Sequence, residues 1–296
     1  MKKLYIIGNG FDIYHGIPSS FSEFRSFVEH NDSSVWDACE DFLPADDMWS
    51  DLEASLGAID TDYLLEANEH FLVSYGAEDW SDSYHHDYEW AVNETSQALS
   101  SGLLRQFTAW VSSLAIPHRS EVDGLLEIEK DSIFLSFNYT ETLMKIYDVG
   151  RNCIFFPHGF IGDQPANLIL GHAWKPEKKM VEFADEDTDV RVADAFDTLD
   201  KYFSSTFKPS SDIIESNSEY FDSLSDVVEV VVLGHSLGEV DHPYFSKIIL
   251  SISSRAFWTV SYFGNPEPIR EQLERLGIGQ ESYRLVKISE LQKKSA

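Results

Sequence analysis

Leu4-Tyr5-Ile6-Ile7-Gly8-Asn9-Gly10-Phe11-Asp12 is the stretch on which the fold turns. An apolar, β-type run meets a glycine pair within a few residues. A short run with no polar alternation reads as a strand buried on both faces. Glycine then lets the chain turn sharply, and without a Cβ it lets a ligand approach the peptide N–H groups. A buried strand that ends in this way delivers backbone to a phosphate. The full dinucleotide pattern calls for a third glycine, and this chain has Tyr14, His15 and then Gly16. A tight strand-to-helix turn without any ligand fits the same residues.

Outward from this strand, Ser20-Phe21-Ser22-Glu23 has the spacing of a capping box, and Phe21, Phe24, Phe27 and Val28 recur at helical intervals behind it. Helical patterning continues to about Pro117. Met48 to Glu53 is expected to open one helix with Leu52 and Leu56 on one face, and a longer helix is expected over Tyr88 to Leu114. Strand signals return at Ser132–Phe137, Cys153–Phe156, a short Leu168–Leu170, the β-branched Val227–Leu233, Phe257–Phe263 and Tyr283–Ile288. Helical segments fall at Thr140–Tyr147, Tyr244–Ser253 and Pro266–Leu276, and Lys175–Asp189 reads as a loop. Strands alternating with helices predict an α/β, Rossmann-like fold. Its sheet is mainly parallel with helices on both faces, and a large helical insertion follows the first strand-turn. The expected division is 1–18 with 126–296 as the α/β nucleotide-binding domain and 19–125 as the inserted helical subdomain.

The chain of 296 residues carries 51 acidic and 22 basic side chains, a formal charge of -29. That field disfavours direct nucleic-acid binding, although a local pocket for a small anion stays open. With only two cysteines, Cys39 and Cys153, there is neither a four-cysteine zinc site nor a disulfide framework. The apolar run after Lys3 is too short for a secretory signal, and no stretch approaches a membrane span. A cytoplasmic protein with no membrane association is expected.

In a parallel sheet, ligands bind beyond the carboxyl ends of the strands. Those ends carry Gly8-Asn9-Gly10-Phe11-Asp12, Phe137-Asn138-Tyr139-Thr140, Pro157-His158-Gly159 and Gly234-His235-Ser236-Leu237. Together with His15-Gly16-Ile17-Pro18, the Trp49-Ser50-Asp51-Leu52-Glu53 box and Asp241, this ordered set resembles the AbiH family of bacterial phage abortive-infection proteins. The same order looks like a diverged sirtuin-type NAD-binding domain, without the zinc module and with Tyr139-Thr140 after the asparagine. The resemblance implies anti-phage defence and a site that binds and hydrolyses NAD or a related nucleotide at its glycosidic bond. Asn138 and His158 are the catalytic candidates. Gly8, Asn9, Gly10, Asp12, His15, Gly234, Ser236 and Asp241 are the candidates for holding the nucleotide, and no metal is expected.

The chemistry of these residue types agrees with that reading. An asparagine amide can hold a water or a ribose hydroxyl, and a neutral imidazole can act as a general base near pH 7. Three other readings remain open. Gly234-His235-Ser236-Leu237-Gly238 matches the G-x-S-x-G turn of serine hydrolases, but His242 follows Ser236 too closely to complete the usual order. A metal-dependent nuclease would draw on His70, His85, His86 and His172 among acidic residues, without any ligand spacing. A non-catalytic module would sense a nucleotide or recognise a phage-encoded trigger protein through Trp49, Trp80, Trp90 and Trp110, and a homo-oligomer fits any of these readings.

Overall fold

The computed structural model describes residues 2–78, 80–82, 84–175 and 178–293. The chain forms two compact units, one of residues 1–20, 110–169 and 209–296, the other of residues 21–109 and 170–208. The helical unit therefore includes a second segment, after residue 169, that the sequence places in the α/β domain.

The first unit is built on a six-stranded sheet: β1 (Lys2–Ile7), β2 (Ile133–Ser136), β3 (Ile154–Phe155), β4 (Val227–Leu233), β5 (Phe257–Tyr262) and β6 (Tyr283–Lys287). The spatial order is β3-β2-β1-β4-β5-β6, and every pairing is parallel. This is the doubly wound Rossmann order, whose direction reverses between β1 and β4. β1 is central because both its faces are apolar. Leu4 and Ile6 join a core with Val230, Val232, Tyr244, Phe245 and Leu273, so the helices His242–Ser251 and Glu267–Arg275 cover that face. Tyr5 and Ile7 face the other way, into a core with Phe11, Phe134, Leu143 and Ile146, which the helices Asn9–Tyr14 and Thr142–Tyr147 close.

Leu168–Leu170 is not a strand. Leu168 and Leu170 are buried, but Ile169 pairs locally, its N–H donating to the His158 carbonyl and its own carbonyl accepting from Tyr139 Oη. The segment is apolar because it is covered, not because it joins the ladder.

The second unit is helical. Phe24, Trp49 and Phe107 meet in its core, with ring centroids 5.7 Å and 5.2 Å from Phe24. The expected long helix is present as Tyr84–Gln97, a π-turn at Ala98–Gly102 and Leu103–Ser113. The Trp49 box is a turn that leads into a single helical turn, Leu52–Ser55, with Trp49 at φ 52°. The expected Lys175–Asp189 loop holds one 3-10 turn, Met180–Phe183, and its Pro176 and Glu177 lie outside the described residues. The helix Val190–Ser205 follows, capped by the Asp189 carboxylate. Lys208, 1% exposed, is neutralised by Glu53 at 2.6 Å. No helix among the described residues is long and apolar enough to cross a membrane.

Candidate functional site

The carboxyl ends of β1 and β4 are locked together. Gly8 N–H donates to the Leu233 carbonyl at 3.0 Å and Gly10 N–H to the Gly234 carbonyl at 2.8 Å, while Gly234 N–H donates to Ser261 Oγ. Gly234 has φ +66°, and a Cβ there would lie 2.1 Å from Phe11 N. A Cβ on Gly8 would lie 2.5 Å from His235 Cα. These glycines are demanded by the approach of two turns, and their N–H groups already have acceptors. The peptide N–H groups of Gly8, Gly10 and Gly234, expected to hold the nucleotide's phosphates, are therefore taken up by two of the protein's own carbonyls and the Ser261 hydroxyl.

Two other candidates are also engaged. The Asn9 amide donates to the Ser19 carbonyl and accepts from Ser19 Oγ, bracing the loop after the first helix. His15 Nδ1–H donates to the Phe11 carbonyl, so Nε2 accepts from Tyr147 Oη, which in turn accepts from Leu126 N–H. Burial lowers the His15 pKa despite that carbonyl bond, in keeping with a neutral ring held in place.

Asp12 and Asn138 form one half of the rim. Asp12 sits in the first turn after β1, 1% exposed, and its Oδ2 accepts from Thr140 Oγ1 at 2.6 Å. Thr140 has one proton to give, so at their 2.9 Å contact Thr142 donates to Thr140. Burial pushes the Asp12 carboxyl up from 3.8 to about 6, against the opposing pull of Thr140, Thr142 and the neighbouring Asn138 amide. Asp12 Oδ1 and both polar atoms of the Asn138 amide are nevertheless buried without a full hydrogen bond.

Asp241 organises the other half. His235 Nδ1 accepts from Leu237 N–H at 2.8 Å, which makes the neutral ring carry its proton on Nε2, facing Asp241 Oδ2 at 3.2 Å. Asp241 Oδ1 lies 3.5 Å from His158 Nε2. One carboxylate thus faces two imidazoles, of the residues that follow β3 and β4. Phe137, at the end of β2, packs edge-on against both rings, at 5.3 Å from His158 and 4.5 Å from His235. Tyr244 stands 5.5 Å from the His158 ring and has no exposed surface.

Asn138 and His158 therefore share the carboxyl rim of one sheet, each beside a carboxylate. Sequence reading did not single out His235 or Thr140 as functional. Both lie inside quoted strand-end motifs, and that position was the available signal. Ser236 is exposed, and among the described residues no hydrogen bond joins it to an imidazole. The positive φ of a nucleophile turn falls on Leu237, at 58°, instead of on the serine. Among the described residues no group of three or more His, Cys, Asp and Glu side chains is arranged to hold a metal ion.

No curated protein and no solved structure gives a significant match. A family model described as bacteriophage abortive infection AbiH matches residues 4–262, a span that runs from β1 to the end of β5, and the chain belongs to that family.

Proposed function

We propose that this AbiH protein acts in abortive infection by binding NAD or a related nucleotide at the carboxyl rim of its sheet and cleaving the glycosidic bond. The observation that carries the reading is the placement of Asn138 and His158 at the ends of neighbouring parallel strands, with Asp12 beside the first and Asp241 beside the second. The order of the strand-end motifs, which looks like that of a sirtuin-type NAD-binding domain without its zinc module, supplies the chemical precedent.

In such a reaction nicotinamide leaves with the electron pair of its bond to C1′ of the ribose. Positive charge develops on the sugar, a water adds to C1′, and the proton it releases passes to a base. His158, with the Asp241 carboxylate 3.5 Å from its Nε2, is suited to take that proton. Asn138 is suited to hold the water or a sugar hydroxyl through its carbonyl and NH₂. Apolar rings around the imidazoles, Phe137 and Tyr244, would keep competing water out.

Incubation of purified protein with NAD, with and without a phage-derived trigger, tests the reading. Nicotinamide release that disappears in Asn138→Ala and His158→Ala, both still folded, supports it. Neither turnover nor nucleotide binding under any trigger removes it. Tight binding without release would instead assign the rim to a sensor.

A further inference from the structure

Three buried polar atoms at one place on the rim lack a full hydrogen bond: Asp12 Oδ1, Asn138 Oδ1 and Asn138 Nδ2. Asp12 is 1% and Asn138 6% exposed, so bulk water does not satisfy them freely. The other Asp12 oxygen is engaged by Thr140, which fixes the carboxyl plane, and the nearby Asn138 amide leaves Oδ1 short of a full hydrogen bond. The combination is two acceptors and one donor group, side by side, with an anionic member. A phosphate would be repelled by the carboxylate, and a flat base would gain little from it. Sugar hydroxyls match, because each both donates and accepts.

We propose that Asp12 and Asn138 together recognise the vicinal diol of a ribose, so that this site selects ligands by their 2′- and 3′-hydroxyls. The inference rests on the nucleotide reading of the rim and adds its specificity. Asp12 Oδ1 accepts from one hydroxyl, and the Asn138 amide accepts from or donates to the second. Loss of either hydroxyl leaves a buried polar group of the protein unpaired, which is how a hydrogen-bonding site rejects an analogue.

The experiment is a calorimetric titration of the full chain with ADP-ribose and with the analogue whose terminal ribose lacks both hydroxyls. Wild type is expected to bind ADP-ribose at least about tenfold more tightly than the analogue. Asp12→Ala and Asn138→Ala are expected to bind the two ligands alike, with circular dichroism confirming that each is folded. Equal binding of both ligands by wild type, or a preference retained in both folded variants, overturns the diol assignment and leaves the nucleotide reading standing. Binding of neither ligand by wild type, with and without a phage-derived trigger, overturns both. The wild-type comparison needs no variant, so a substitution that fails to fold does not blunt the test.

Discussion

At the scale of single residues, Asp12 is held in a state that disfavours its charge. Its carboxyl is pushed from 3.8 to about 6 in the fold by burial. At pH 7 the folded protein therefore carries a buried carboxylate whose charge costs it stability relative to the unfolded chain. A shift of this size corresponds to about 3 kcal/mol. Between pH 4 and 6 the folded state binds more protons than the unfolded state, so this group's contribution is greatest below about 4 and is lost as pH rises through about 6. Asp12→Asn keeps the shape and can still accept from Thr140. Chemical denaturation should find the variant more stable than wild type by about 2 kcal/mol at pH 7.5, with the difference shrinking toward pH 4. An equal difference at every pH would mean that the Asp12 pKa is not displaced. Asp241 makes a second case. Asp241→Asn removes the charge that faces both His158 and His235, at 3.5 and 3.2 Å. If His158 is the base, nicotinamide release should fall about a hundredfold with little change in KM. An unaltered rate would reduce Asp241 to a packing role. Such residue-level detail was only partly legible in the sequence. The motif pointed to Asn9 and His15 as readily as to Asp12, and only coordinates reveal that Asn9 braces Ser19 and that both His15 nitrogens are engaged.

Among the elements, the rim depends on how β1 and β4 terminate. Gly234→Ala would force an L-residue to φ +66° and drive its Cβ to 2.1 Å from Phe11 N, a backbone atom that cannot swing aside. Thermal or urea unfolding should show a loss of at least about 3 kcal/mol, or no folded protein. Gly238→Ala is the matched comparison four residues on. Its Cβ would meet nothing closer than Ser236 Oγ at 3.5 Å, and its φ of -59° suits any residue, so a change within about 0.5 kcal/mol is expected. Equal costs at the two positions would refute the interlocking of the turns. The elements that sequence located best were those whose burial was complete, such as β4, where the β-branched run itself dictates a central strand. Val190–Ser205 went unread because Asp and Thr residues dilute its pattern. Ala195, Leu199, Tyr202 and Phe203 nevertheless recur at helical spacing and are all buried. Leu168–Leu170 misled for the opposite reason, since apolarity signals burial and not pairing.

For the whole molecule, the dominant quantity is the charge of -29. In the α/β unit, Lys2, Lys3, Arg119, Lys130 and Lys293 gather around a cavity at the amino ends of β1 and β2, the opposite edge of the sheet from the rim. Three of these are also paired with acids, Lys2 with Asp226, Lys3 with Glu129 and Arg119 with Asp148. They therefore do little to offset the field met by an anion approaching Asp12 and Asp241. A dinucleotide or ADP-ribose is itself negative, so encounter is opposed by like charge, and salt screens that repulsion over a Debye length of about 10 Å at 0.1 M. The association rate of ADP-ribose should consequently rise severalfold between about 20 and 200 mM NaCl, as stopped-flow mixing would measure. That sign is the reverse of the one for a site that steers anions in. Duplex DNA, with far more charge, should fail to bind even at the lower salt. A rate that fell with salt would require a cationic entrance, and the rim would then not be where the nucleotide enters.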